Sequence, residues 1–118
     1  MASARIVDND DASRVEDSGM SAIRHVGILV VPGFQATAAN HWFPWLCAST
    51  RSIGLNCIVA DLPNPGDPRP DGWSAAISQA AERLGGDIIT VAHSLGCLSL
   101  IGTIARDPDL ASRIMGSV

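Results

Sequence analysis

Apolar residues in this chain fall into three short continuous runs, and the segments that follow them have apolar positions at helical spacing. The runs are VGILVV, which begins at Val26, the segment CIVAD over 57–61, and IITVA, which begins at Ile88. Short continuous apolar runs are typical of strands buried on both faces of a parallel sheet. The pattern therefore predicts three strands, the last of them over 87–92.

The segment after the first run predicts a helix that contains Trp42, Trp45 and Leu46. Asn40 is placed to cap the start of this helix, and Gly54 is placed to end it. The two tryptophans are three positions apart, on one predicted helix face, so we expect mainly structural roles for them.

Two further helices are predicted, one on each side of the third strand. The helix before it has one apolar stripe and Asp71 as its predicted cap. The helix after it extends from about 95 to 106 and is broken by Asp107-Pro108, beyond which we expect a short polar stretch. The stripe consists of Trp73, Ala76, Ile77, Ala80, Ala81 and Leu84.

The order of these elements, β-α-β-α-β-α, predicts the α/β class, with a parallel sheet and helices flanking it in three layers. Ligands bind such sheets at the carboxyl ends of the strands. Three loops are predicted to meet at that edge, over Pro32–Asn40, Leu62–Gly72 and His93–Gly96.

Composition indicates a globular domain behind a polar tail and limits the kinds of partner that we expect. Residues 1–22 are polar, acidic and without periodicity, so we expect a mobile tail, or alternatively an acidic interaction arm, ahead of one domain over 23–118. The net charge is −4 and the eight basic residues are scattered arginines, so nucleic acid is not an expected partner. No apolar run approaches the roughly 18 residues of a membrane span.

The chain has three cysteines, Cys47, Cys57 and Cys97, without C-x-x-C spacing and within apolar segments. We expect three reduced core cysteines in a cytoplasmic protein, with disulfide or metal-binding roles as the alternatives.

The candidate chemistry lies in TVAHSLGC, residues 90–97, where Ser94 stands between a predicted strand and a predicted helix. Small residues two positions before and after such a serine, here Ala92 and Gly96, permit the sharp turn that exposes a nucleophile. An ordinary helix cap is the alternative reading of Ser94. In this architecture the backbone N–H groups of Leu95 and of Phe34, or Gln35 in place of Phe34, would form an oxyanion hole.

Three blocks together resemble the small α/β-hydrolase-fold serine hydrolases grouped with retinoblastoma-binding protein nine: VPGFQATAANHWFPWL, ADLPNPGDPRPDGW and TVAHSLGC. The resemblance extends from about Val26 to the end of the chain. It implies a serine hydrolase of small acyl esters or amides with Ser94 as nucleophile and without metal or organic cofactor. We expect Gln35, His41 and Trp42 to line the substrate site.

The catalytic triad of this fold runs in the order Ser, Asp or Glu, then His along the chain. After Ser94 the only carboxylates are Asp107 and Asp109, and there is no histidine. Neither His41 nor His93 is well placed to act as the base. We therefore expect the N-terminal part of a hydrolase domain, incomplete at its C-terminus and inactive alone; a non-catalytic binding module and a half-enzyme completed by another chain are the alternatives.

An incomplete sheet would also affect association. If no further strand follows, the outer side of the strand over 87–92 becomes an open edge, and self-association through that edge is expected.

Overall fold

The strands follow the apolar runs of the sequence. In a computed structural model that describes residues 25–118, β1 is Val26–Val31, β2 is Asn56–Val59 and β3 is Asp87–Ala92. A fourth strand, β4, is Ile114–Ser117, and the sheet order is β2-β1-β3-β4 with every neighbouring pair parallel. The predicted tail over 1–22 lies outside the described residues.

Four helices connect these strands. Helix α1 is Phe43–Ser52, α2 is Pro70–Leu84, α3 is Leu95–Arg106 and α4 is Pro108–Arg113. Among the described helices, none is long and apolar enough to cross a membrane.

The two faces of the central strand β1 pack against different helical layers of the fold. Leu29 and Val31 face a core formed with α2, α3 and α4, whereas Ile28 and Val30 face a smaller core formed with α1. All four side chains are buried, because a parallel strand in the middle of a sheet is covered on both sides. The predicted three-layer α/β architecture is therefore confirmed.

The apolar stripe of α2 supplies much of the larger core. Trp73, Ile77, Ala80 and Ala81 are buried there, as the spacing predicts. The indole N–H of Trp73 donates a hydrogen bond to the carbonyl oxygen of Pro63, 2.9 Å away, which satisfies its one polar group.

The prediction of a polar stretch after Asp107-Pro108 is wrong. Those residues form α4 and β4 instead, and β4 pairs with β3 in parallel. Strand β3 is therefore covered on both edges, and the open edge that we expected beside it is not present. The short run Ile114–Ser117 has too few apolar residues to predict a strand by itself, and the neighbouring strand supplies its hydrogen-bond partners.

Two predicted helix caps are also wrong. The side-chain oxygen of Asn40 accepts hydrogen bonds from the backbone N–H and hydroxyl of Thr37, so it closes the preceding turn rather than starting α1. Asp71 lies within the first turn of α2, since the helix begins one residue earlier, at Pro70. The proline has the fixed φ of a first helical residue and needs no N–H partner there.

The cysteines differ from the prediction of three reduced core thiols. Cys47 of α1 and Cys57 of β2 are joined as a disulfide, with Cα atoms 5.2 Å apart, and Cys97 is free and exposed. The two paired cysteines are buried, as expected, but ten positions of sequence separation and no C-x-x-C spacing gave no sign that α1 returns alongside β2.

The tryptophans near α1 are exposed rather than buried in the core. Trp45 is 68% exposed and Trp42 37% exposed, while the neighbouring Phe43 is fully buried. Helix α1 begins at Phe43, so Trp42 precedes the helix and the two rings do not share a helix face.

Asp107 links the end of α3 to α2 and α4. Its carboxylate accepts a hydrogen bond from the Ser78 hydroxyl at 2.7 Å and another from the backbone N–H of Leu110 at 3.1 Å. These bonds, the Ser78 bond first, lower the pKa of Asp107 below its ordinary value, and the nearby charge of Arg113 acts in the same direction.

We predict that Asp107→Asn removes an acid-sensitive part of the stability. Because the folded pKa lies below the unfolded one, the stabilisation is complete above the unfolded value and is lost as pH falls through about 4 towards the folded value. Thermal unfolding between pH 7 and pH 3 should therefore show the melting temperatures of variant and wild type converging as pH falls. Asp109→Asn, a change at an exposed carboxylate, is the matched control and should have little effect. A difference in melting temperature between Asp107→Asn and wild type that stays constant with pH would contradict this account.

Candidate functional site

Ser94 occupies a sharp corner between β3 and α3. Its backbone has φ 57° and ψ −129°, a conformation that is strained for a residue with a side chain. The residue is exposed, and its hydroxyl makes no hydrogen bond to any other residue in the described part of the chain. The ordinary cap reading is therefore excluded, because a cap would accept a hydrogen bond from the first turn of the helix.

Close backbone contact places this corner against the end of β1. A Cβ added to Gly96 would collide with the carbonyl oxygens of Val31 and Pro32. A Cβ added to Gly33 would lie 2.8 Å from the carbonyl oxygen of His93 and 2.9 Å from the Ser94 Cβ. Both positions therefore require glycine, because a real Cβ does not approach other atoms so closely.

Two backbone N–H groups close to the Ser94 corner are free to bind a ligand. The N–H groups of Leu95 and Phe34 have no hydrogen-bond partner within residues 25–118, and the Gly33 turn that carries Phe34 lies against Leu95. The N–H of Gln35 instead donates to the carbonyl oxygen of Pro65 at 2.9 Å. Of the two candidates in this loop, Phe34 is therefore the one with a donor available for a ligand.

Three loops meet at this edge of the sheet, as the sequence predicts. The hydrogen bond from the Gln35 N–H to the Pro65 carbonyl oxygen joins the first loop to the second. The N–H of His93, the first residue of the third loop, donates to the carbonyl oxygen of Val31 at the end of β1, 3.0 Å away. The carboxyl ends of β1, β2 and β3 therefore share one surface.

An aromatic cluster surrounds the residue before Ser94. The ring centroid of His93 lies 5.1 Å from that of His41, 5.8 Å from that of Trp42 and 6.0 Å from that of Phe43. The Nδ1 atom of His93 is buried and has no hydrogen-bond partner among the described residues. The structure thus brings His41 and Trp42 together around His93, the residue before Ser94.

The carboxylates that follow Ser94 in sequence lie elsewhere. Asp107 stands at the opposite end of α3, a helix of 12 residues, where its oxygens bond to Ser78 and Leu110. At about 1.5 Å of rise per residue, this is roughly 18 Å from the corner, too far for contact with an imidazole beside Ser94. In the described part of the chain, no three His, Cys, Asp or Glu side chains are grouped as a metal site.

A groove of about 360 Å³ begins beside the corner, between α3 and the start of α2. Leu95 lines one end of it, Pro68 and Pro70 line one wall, and Leu98 and Gly102 line the other. We did not predict this groove from the sequence. Gly102 was the available signal, because glycine inside an otherwise apolar helix costs about 1 kcal/mol relative to alanine and needs a reason.

The sequence profile of the serine hydrolase family matches residues 28–118, which contain the whole corner and both N–H donors. The chain belongs to the serine hydrolase family. That match accounts for most of the described residues and agrees with an exposed serine at a strand-to-helix turn.

One relative, YdeN of Bacillus subtilis (strain 168), a protein whose name describes it as a hydrolase, is 34% identical over 74 residues. That stretch is 63% of this chain and 39% of YdeN. The crystal structure of the ydeN gene product superimposes with a TM-score of 0.61 and 31% identity, covering 68% of this chain and 42% of that one. The chain therefore spans about two fifths of the length of this relative.

We predict that Gly96→Ala destabilises the fold by about 1–3 kcal/mol, because the added methyl group meets rigid backbone rather than a flexible side chain. Gly102→Ala on the same helix is the matched control. A Cβ there meets no atom within 4 Å, so this variant should gain roughly 1 kcal/mol from helix propensity. Urea unfolding of both variants measures the two changes. Equal stability of Gly96→Ala and wild type would show that the close contact at Ser94 is not a constraint.

Proposed function

We propose that this chain is the part of a serine hydrolase that holds the nucleophile and the oxyanion hole, and that it acts on small acyl esters or amides. In this proposal Ser94 attacks the acyl carbon, and the N–H groups of Leu95 and Phe34 bind the negative oxygen that forms. Gln35, His41 and Trp42 bind the substrate. No metal or organic cofactor is required by this chemistry.

The observation that carries the proposal is the backbone conformation of Ser94. A φ of 57° in a residue that is neither glycine nor asparagine is unfavourable, and here it does not serve a cap hydrogen bond. Ser94 is exposed, and the N–H groups of Leu95 and of Phe34, in the turn that approaches Ser94, are free of partners in the described chain. A nucleophile with adjacent oxyanion donors is a direct use for that arrangement.

We further propose that the chain belongs to the branch of small serine hydrolases grouped with retinoblastoma-binding protein nine. The support is the pair Trp42 and Trp45 together with the proline loop after β2. Exposure of both rings is consistent with a place at the substrate side rather than in the core.

The order of groups in a complete triad, serine, then acid, then histidine, is not met after Ser94. The sequence has no histidine after Ser94, and Asp107 is engaged at the far end of α3. We infer that polypeptide outside this sequence provides both groups, either as further chain or as a second subunit. A non-catalytic binding module is the competing function, and the reactivity of Ser94 distinguishes the two.

We predict that a fluorophosphonate labels Ser94 slowly, because the oxyanion donors are present while the general base is not. Intact-mass and peptide mass spectrometry should find one adduct, on Ser94, and no adduct in Ser94→Ala. Ser112→Ala, a change at an exposed serine of α4, is the control and should label as wild type does. Labelling that is equal in Ser94→Ala and wild type would remove Ser94 from the reaction and favour a binding module.

We also predict that the 118-residue chain alone hydrolyses p-nitrophenyl acetate at least about 10³-fold more slowly than a full-length serine hydrolase of this family. Loss of triad groups typically costs about 10⁴-fold or more, and the oxyanion hole retains part of the catalysis. Initial rates under matched conditions provide the comparison. Turnover close to that of the full-length enzyme would contradict the proposal and indicate a base within this chain, which His41→Ala and His93→Ala would then identify.

A further inference from the structure

We propose that the groove between α3 and the start of α2 binds the acyl chain of the substrate, and that Gly102 sets how long that chain can be. The inference rests on the proposed function and adds a substrate class to it: uncharged esters with a medium-length alkyl acyl group.

The groove and the proposed oxyanion hole share one residue, Leu95. Leu95 directly follows Ser94, its backbone N–H has no partner in the described part of the chain, and it is one of the residues that line the groove. An acyl group bonded to the Ser94 oxygen, with its carbonyl oxygen at the Leu95 N–H, is therefore next to the Leu95 end of the groove.

The walls of the groove suit an alkyl chain. Pro68, Pro70 and the edge of Trp73 form one side, and Leu98, which is 67% exposed, forms part of the other. An alkyl chain in the groove would remove the Leu98 side chain from water, which is favourable in proportion to the apolar area covered. A volume of about 360 Å³ lies in the range of small-molecule sites.

The charges at the rim argue for an uncharged chain. Arg69 and Arg106 are the charged residues that line the groove, and each is already paired. Arg69 lies 3.1 Å from a carboxylate oxygen of Asp67, and Arg106 lies 2.9 Å from one of Asp71. The positive charges are therefore balanced locally, and the rim offers no net attraction to an anionic tail.

Gly102 determines the depth of the groove. A Cβ added there meets no atom within 4 Å, so the space above this residue is open. Helix α3 would be more stable with alanine at this position. The helix does not need glycine at this position, and the open space above it leaves room for a ligand.

The reaction that follows from this placement is ordinary ester hydrolysis. The Ser94 oxygen bonds to the acyl carbon, the ester C–O bond breaks, and the alcohol leaves with the hydroxyl proton. Water then releases the carboxylic acid and restores the serine. The alkyl part of the acyl group stays in the groove throughout, so its length affects reactivity at Ser94.

The test compares two phosphonofluoridates that differ only in the alkyl group on phosphorus, ethyl against octyl. Each reacts by forming a Ser94 oxygen–phosphorus bond and releasing fluoride and the hydroxyl proton. We expect the octyl reagent to label Ser94 at least about tenfold faster, because burial of each CH₂ group can raise the labelling rate by up to roughly fourfold. In Gly102→Leu the octyl-to-ethyl ratio should fall towards one.

Ala105→Leu is the matched control, because it adds similar bulk to an exposed position of α3 outside the groove, and it should keep the wild-type ratio. Thermal unfolding verifies that both variants fold. In Ser94→Ala, addition of octanol should shift the amide resonances of Leu98 and Gly102, and Gly102→Leu should abolish those shifts.

The outcomes separate the groove from the catalytic proposal. Labelling of Ser94 at equal rates by both reagents, with no octanol shifts, would overturn the groove and leave the nucleophile in place. An octyl preference that survives in Gly102→Leu would overturn the role of Gly102. Absence of labelling by either reagent would overturn the proposed function, and the acyl groove with it.

Discussion

The arrangement of this site depends on one steric constraint, the approach of the first turn of α3 to the end of β1. Gly96 meets the carbonyl oxygens of Val31 and Pro32, and Gly33 meets the backbone around Ser94, without room for a Cβ at either place. This contact aligns the serine corner with the turn that carries Phe34. The residues that carry the two proposed oxyanion donors, 61 positions apart in sequence, are thereby brought close together.

The layers behind the corner support this contact from both sides of the sheet. On one side α2 and α3 pack together through Trp73 and Leu100, and the Thr103 hydroxyl bonds to Ser74 at 2.9 Å. On the other side the Cys47–Cys57 disulfide ties α1 to β2, and the ring centroid of Phe43 in α1 lies 6.0 Å from that of His93. The strained φ of Ser94 is stabilised by this surrounding structure rather than by a local hydrogen bond.

Patterns that depend on local burial could be predicted from the sequence. The run from Val26, the stripe that starts at Trp73 and the turn at Ser94 each follow from spacing alone. The remainder depends on contacts between distant segments. Strand β4 forms because β3 offers hydrogen bonds, Cys47 meets Cys57 because α1 returns along β2, and the groove exists because α3 has a glycine where α2 begins. The residues of β4, of the disulfide and of the groove do not by themselves contain a pattern that predicts these features.

The central claim is that the corner at Ser94 and the Gly33 turn form a preorganised oxyanion hole. A crystal structure of the chain after reaction with a phosphonofluoridate tests it most directly. The account predicts a phosphonyl oxygen on Ser94 at about 2.7–3.1 Å from the backbone nitrogens of both Leu95 and Phe34. A phosphonyl oxygen that is directed into solvent, with neither nitrogen in hydrogen-bond range, would contradict it.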